Sequence, residues 1–224
     1  MTPIEDILDE SRSRHGDALD ARLPVPASGA ALAAIPDDRW LAGMARRVFS
    51  AGFVWRVIQA KWPGFEAAFE GFDPDGVAHL DDEDIARLLG DTRIVRNRQK
   101  IVATIHNAGF VLEIAAEHGS FGAWVAAWPQ DDIVGLWDAL SEHGKRLGGD
   151  TGPRLLRMMG KDTFILTGDV CHALERFAGI RGRPAGKRYR REAQAAFTAW
   201  SASSGLGLGA LSMVLASSGD APRS

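Results

Sequence analysis

Apolar positions of helical period, broken by short polar or Gly/Pro stretches, run through the chain from residue 37 onward. Trp40, Met44 and Val48, flanked by Leu41 and Ala45, predict a helix that Asp37 or Asp38 can cap and Gly52 interrupts. A second run over residues 53–62 is expected to stop at Pro63-Gly64. A short one follows through Phe65, Ala68 and Phe69 to the turn Asp73-Pro74-Asp75-Gly76. Asp81-Asp82-Glu83-Asp84 places negative charge where the helix containing Ile85, Leu88 and Leu89 begins, which complements the helix dipole and reads as structural. From Asn97 the longest pattern, with Ile101, Ile105, Ala108, Leu112 and Ala115 as its stripe, runs to about Glu117 and ends at Gly119.

Further short helices are expected over residues 121–128, 133–140, 153–159, 170–177 and 192–200, with a weaker one over 206–215. Only residues 163–166 look extended, and four residues do not make a sheet. No repeat of fixed period is present. The fold class is therefore all-α, as one compact domain or a helical bundle with two small lobes. An acidic, Ala- and Pro-rich opening reads as a loosely attached arm over residues 1–34, before a domain at 35–218 and a tail at 219–224.

Charge changes this picture. The net charge of −3 argues against a nucleic-acid partner until its distribution is considered. Acidic residues crowd Glu5 to Glu10 and Asp73 to Asp84. Between Glu142 and Arg191 twelve basic residues face five acidic ones, a net +7. The run from Arg181 to Arg191, taken alone, reads equally as a solvated face. The single cysteine, Cys171, excludes an internal disulfide and reads as a buried thiol. The first residues show no basic and apolar leader, and no stretch approaches the roughly 20 apolar residues of a membrane span. A cytoplasmic, non-membrane protein is expected.

Two segments suggest chemistry. Residues 93–101 form a basic helix start leading to Asn107-Ala108. About forty residues on, Gly144-Lys145-Arg146-Leu147-Gly148-Gly149-Asp150-Thr151-Gly152 forms a glycine-rich turn between two apolar-periodic runs. Such a turn can be an ordinary connection. It can also aim peptide N–H groups and the following helix dipole at one DNA phosphate, with Gly148, Gly149 and Gly152 allowing approach and Lys145, Arg146 and Arg154 around it.

With Ala51-Gly52-Phe53-Val54-Trp55 upstream, these segments resemble the DNA-3-methyladenine glycosylase I family of helix-hairpin-helix repair enzymes. The similarity runs from about Ile35 to Gly160. It is best at residues 51–55, where the family typically reads Ala-Gly-Leu-Ser-Trp, and continues through residues 65–74, 84–89 and 93–108. The resemblance implies a helix-hairpin-helix DNA glycosylase fold. It also implies base-excision repair by hydrolysis of the N-glycosidic bond of alkylated purines such as 3-methyladenine. The partner would be double-stranded DNA containing damaged bases, and the protein a monomer and monofunctional glycosylase without cofactor, since no pocket lysine is evident.

Flipping a base out of the stack requires an aromatic face to hold it. Trp55 is the candidate platform, with Phe53 and Trp40 behind it, although each also fits a helix core. The chain departs from the family where it carries Arg47 eight residues before Trp55, in place of the family's base-recognising Glu, and Ser50 in place of the usual Gln. It also lacks the early Cys and the late His and Cys of the family's structural zinc. His15 and Cys171 are too few for a closed site, so no metal is expected. Asp169 resembles the catalytic Asp of the broader superfamily, offset by about two residues with Thr167 at the strict position. It also fits an N-cap over residues 170–174. His172 is either a second pocket group or a surface side chain. Two alternatives stand beside the enzyme: a catalytically reduced or altered-specificity helix-hairpin-helix DNA-binding paralogue, and a helical protein-interaction domain.

Overall fold

The computed structural model describes residues 1–219. It is 72% helical, with no strand among those residues. In chain order the helices are α1 (Ile4–His15), α2 (Gly29–Ala33), α3 (Asp37–Ser50), α4 (Trp55–Ala68), α5 (Pro74–Ala78), α6 (Asp82–Gly90), α7 (Arg98–His118), α8 (Phe121–Ala127), α9 (Ile133–His143), α10 (Thr151–Met158), α11 (Gly168–Ala178), α12 (Lys187–Ser204) and α13 (Leu208–Ser217). Among the described residues no single helix is long and apolar enough to cross a membrane.

Local chemistry accounts for most boundaries. Asn97 Oδ1 accepts the Lys100 N–H at 3.1 Å and starts α7, which ends where Gly119 takes a φ of 85°. Asp81 and Asp84 form a reciprocal capping box at the start of α6, the structural role expected of that acidic run. Asp37 and Asp38 differ from expectation. Neither caps α3; Asp37 Oδ1 instead accepts the Phe121 N–H at 2.8 Å and ties α8 to α3.

Pro63 does not end its helix, because α4 continues through it to Ala68. A proline inside a helix costs about 3 kcal/mol through the lost hydrogen bond and a ring clash. Burial of Phe65, edge-on to Phe49 at 4.6 Å, offsets that cost, while Pro63 and Gln59 face solvent. The next residue has to be glycine. A Cβ at Gly64 would lie 2.7 Å from the Arg93 carbonyl oxygen.

The chain forms two compact units, Met1–Ala27 with Pro129–Gly135 and residues from Gly160 on, and Ser28–Trp128 with Leu136–Met159. In the first, α1 packs on α12 and α13. Ile4 and Ile7 are buried, Ser11 Oγ donates to the Val214 carbonyl at 3.0 Å, and Trp200 Nε1 donates to the Thr2 carbonyl at 3.0 Å. The expected loose arm is thus a core helix, since its apolar positions 4, 7 and 8 share one face. Residues 28–34 belong to the second unit, where α2 lies against α8. Residues 220–224 of the expected tail lie outside the described residues.

In the second unit α7 packs against α3, α5, α6 and α8. Its buried face differs from the predicted stripe. Lys100, Thr104 and Asn107 are buried beside Ile101, Ala108 and Val111, whereas Ile105, Leu112 and Ala115 are only half-buried. A line of polar side chains therefore runs along the core side of this helix, and each must find an acceptor or donor there.

Candidate functional site

The α3–α4 connection is an exposed apolar loop held from below by a buried lysine. Gly52, with φ of 74°, turns the chain between the two helices. Residues 51–57 are exposed, including Phe53, Val54, Trp55 and Val57. Lys100 Nζ donates to the carbonyl oxygens of Phe49 at 3.0 Å and Ala51 at 2.7 Å, and lies 4.6 Å from the centre of the Phe53 ring. A cation at the C-terminus of α3 satisfies carbonyls that the helix leaves open and complements its dipole. Burial pushes the Lys100 pKa below the usual lysine value, and the neighbouring Arg146 charge adds to the effect. A lysine therefore does sit against the loop, contrary to expectation. Its signal was present as the first of the polar positions 100, 104 and 107, in line with the buried face of α7.

Arg46 occupies one face of Trp55. Its guanidinium carbon lies 4.8 Å from the centre of the Trp55 ring and 5.2 Å from that of Trp62. From Trp62 the stack continues inward to Phe72, with rings 5.4 Å apart and 9° from parallel, and on to Phe69. Trp62 Nε1 donates to Glu66 at 2.9 Å, and Glu66 is held by a two-point contact with Arg39 at 3.0 and 3.2 Å. Trp55 is the outer, half-exposed end of this ladder. Trp40 is fully buried against Phe121 at 5.4 Å, in the aromatic core rather than in the exposed loop.

Arg47 and Trp55, eight residues apart in sequence, lie on separate helices because the chain breaks at Gly52. Arg47 instead feels Arg154 and Asp150. Burial and the Arg154 charge lower its pKa, with Asp150 acting in the opposite direction.

The glycine turn joins α9 to α10 as a helix-hairpin-helix and is pinned to α7. Asn107 Oδ1 accepts the Lys145 N–H at 2.7 Å, and Asn107 Nδ2 donates to the Lys145 carbonyl at 3.2 Å. His106 Nε2 contacts the His143 carbonyl at 2.9 Å, and the Arg146 guanidinium donates to Gln99. The three glycines singled out in the sequence have different duties. A Cβ at Gly148 would meet Ser141 Oγ at 2.7 Å, and one at Gly152 would meet the Leu147 carbonyl oxygen at 2.7 Å, so both permit close packing. Gly149 alone faces open space, with φ of 60°. Lys145 and Arg146 are exposed beside it, and Arg154 pairs with Asp150 at 3.3 Å.

Asp169 and His172 are exposed on α11, in the first unit. Thr167, not Asp169, caps this helix, its side chain accepting the Val170 N–H at 3.3 Å. The basic stretch is not one continuous free surface. Arg176 pairs with Glu10, Arg181 with Glu175 and Arg188 with Glu192. His15 Nε2 is engaged by the Ser217 carbonyl at 3.1 Å, and Cys171 is only partly buried. These two do not belong to a zinc ligand set. Among the described residues no group of three or more His, Cys, Asp or Glu side chains could hold a metal ion.

Comparison with known proteins agrees with this architecture. DNA-3-methyladenine glycosylase 1 of Escherichia coli (strain K12) is 41% identical over 64 residues, 29% of this chain and 34% of that protein. The match thus spans about a third of the curated relative's length. In solved structures the chain resembles 3-methyladenine DNA glycosylase I from Staphylococcus aureus at 23% identity, with a TM-score of 0.51, covering 69% of this chain and 92% of that one. A variant of 3-methyladenine DNA glycosylase I in complex with 3-methyladenine gives 23% identity and a TM-score of 0.50, covering 64% and 84%. These likenesses establish the fold as an all-α, helix-hairpin-helix DNA glycosylase fold. The family model for methyladenine glycosylase matches residues 36–172, more than half of the sequence, and the chain belongs to that family.

Proposed function

We propose that this protein is a DNA base-excision repair glycosylase, hydrolysing the N-glycosidic bond of alkylated purines in double-stranded DNA. The observation that carries this reading is the use of one helix, α7, to hold both parts such an enzyme needs. Lys100 fixes the exposed aromatic loop, and Asn107 with Gln99 fixes the hairpin. A hairpin gripping one phosphate sets the register of the duplex, while an exposed indole offers a flipped base a stacking surface. Membership of the methyladenine glycosylase family supports 3-methyladenine as a member of the substrate class.

In this reading Gly149, Lys145 and Arg146 face a backbone phosphate, with Gly148, Gly152 and Arg154 shaping the turn. Trp55 and Phe53 meet the base, while Trp40 lies in the core against Phe121 and Arg47 lies near Arg154 and Asp150 of the hairpin. Asp169 is the proposed carboxylate. Thr167 takes the capping role, and Asp169 remains exposed on the first turn of α11. Lys100 Nζ is engaged by two backbone carbonyl oxygens beneath the loop, which holds it away from a sugar carbon, so hydrolysis without strand cleavage is proposed. A monomer acting in the cytoplasm completes the reading, compatible with a chain that requires no disulfide.

One observation favours an altered-specificity paralogue as the second reading: the charged side chain stacked on Trp55 is Arg46. Mass identification of the bases released from methylated duplex DNA tests both. Release of alkylated purines with the strand intact supports the enzyme. Duplex binding that weakens steeply with salt, without base release, supports the paralogue.

A further inference from the structure

We infer that Arg46, held between Trp55 and Trp62, is a specificity-determining residue that turns the Trp55 platform toward uncharged modified purines and against positively charged ones. The inference rests on the reading of Trp55 as the base-stacking wall.

Both aromatic rings of the exposed loop carry a cation on one face, Arg46 on Trp55 at 4.8 Å and Lys100 on Phe53 at 4.6 Å. Neither cation is neutralised by a carboxylate. Lys100 bonds to two backbone carbonyls, and no ion pair to Arg46 occurs among the described residues. The Arg46 Nε is buried without a hydrogen-bond partner. Glu66, the carboxylate that reaches Trp62, is committed to Arg39. The loop therefore presents aromatic rings whose negative faces are already answered by positive charge from within.

The charge of the base decides what this does. An aromatic face attracts a cation through its quadrupole, and a cation already bound to one face opposes a second on the other. A purine alkylated on a ring nitrogen is positively charged until its bond to the sugar breaks, so stacking on Trp55 is weakened by Arg46. An uncharged modified purine behaves in the opposite way. As its C1′–N bond breaks, the electron pair moves onto the base, which gains negative charge. Water adds its oxygen to C1′, and the proton it gives up ends on the base nitrogen, leaving an abasic sugar and a neutral free base. A cation behind the ring stabilises the negative charge that develops before that proton arrives.

The test compares single-turnover release from two duplexes, one carrying 7-methylguanine as the cationic base and one carrying hypoxanthine as the uncharged base. Wild type, Arg46→Met, Arg46→Lys and Trp55→Ala are measured on each. We expect the ratio of uncharged to cationic base release to fall about tenfold in Arg46→Met, the scale of a partly desolvated cation–π contact, and to stay within about twofold in Arg46→Lys. If Trp55→Ala loses release of both bases while Arg46→Met keeps the wild-type ratio, the inference is overturned and the Trp55 reading stands. Wild-type release of both bases by Trp55→Ala overturns that reading and the inference with it. A fall in Arg46→Lys as large as in Arg46→Met shows that shape rather than charge is at work and also overturns it. Wild-type protein that releases neither base overturns the inference, while the enzymatic reading is decided separately by the bases released from methylated duplex DNA. Thermal melting checks each variant. If Arg46→Met does not fold, Arg46→Gln, equally uncharged, takes its place and must give the same fall in ratio.

Discussion

Asn107 pairs with both backbone groups of Lys145, accepting its N–H at 2.7 Å and donating to its carbonyl oxygen at 3.2 Å. A fully buried amide thus acts as a missing strand neighbour for the first residues of the hairpin, fixing where the turn leaves α9. The side chain contributes geometry to the hairpin without facing a ligand itself.

Asn107→Ala removes both bonds and leaves two peptide groups without their partner, at a cost of about 1–3 kcal/mol in stability. Urea denaturation measures that loss. Duplex affinity should fall as well, by a similar factor for different sequences, because the hairpin would touch phosphate rather than base edges. Unchanged stability would show that the turn holds its shape without α7.

Two glycines of the same turn should separate folding from binding. At Gly152 a methyl group would press on the Leu147 carbonyl oxygen, so Gly152→Ala is expected to destabilise the fold by about 1–3 kcal/mol. At Gly149 space is open and only the positive φ resists, which costs about 1–2 kcal/mol. Gly149→Val should remain folded and still bind duplex DNA more weakly. Equal duplex affinity of folded Gly149→Val and wild type would take this residue out of the interface.

Lys100 makes native stability depend on pH at the alkaline end. Its folded-state pKa lies below the ordinary 10.5, chiefly through burial. Below the lowered value both states hold the proton. Between it and 10.5 the unfolded chain binds more, so native stability rises with pH across that window and levels off above it. The Lys100→Met protein lacks this contribution. Denaturation of the two proteins from about pH 8 to about pH 11 should show wild type gaining on the variant. A constant difference would mean that Lys100 titrates normally.

Ile7→Ala should cost about 2–5 kcal/mol, as for a large side chain removed from a packed core. Thermal or urea unfolding reads this directly, and a loose arm would give almost none of it.

Much of this architecture was legible because it rests on short-range chemistry. Asn97, Gly119 and the Asp81–Asp84 box act within one turn of themselves, so their spacing states their role. Pro63 was misread because its helix is sustained by the burial of Phe65 elsewhere in the fold. The opening residues were misread because their low hydrophobicity hid the few positions, Ile4, Ile7 and Leu8, that share a buried face. At the candidate site, Trp55 and the hairpin stand out in the sequence through their immediate neighbours, the run at residues 51–55 and the clustered glycines. The partner of Trp55 could not be read that way. Eight residues along a straight helix point to Arg47, but the turn at Gly52 changes the register and brings Arg46 onto the ring instead.

The pairing of α1 with α12 and α13 also sets an order of assembly during synthesis. The ribosome delivers Ser28–Trp128 and Leu136–Met159 well before residues 208–217, so the second unit has its complete sequence while α1 still waits for its cover. Nascent domains generally fold as units, the earliest completed first. Residues 4–15, made before the second unit, are then secured after it, and Ile4 and Ile7 stay uncovered until α12 and α13 emerge. A ribosome that pauses before Leu208 would prolong that exposure.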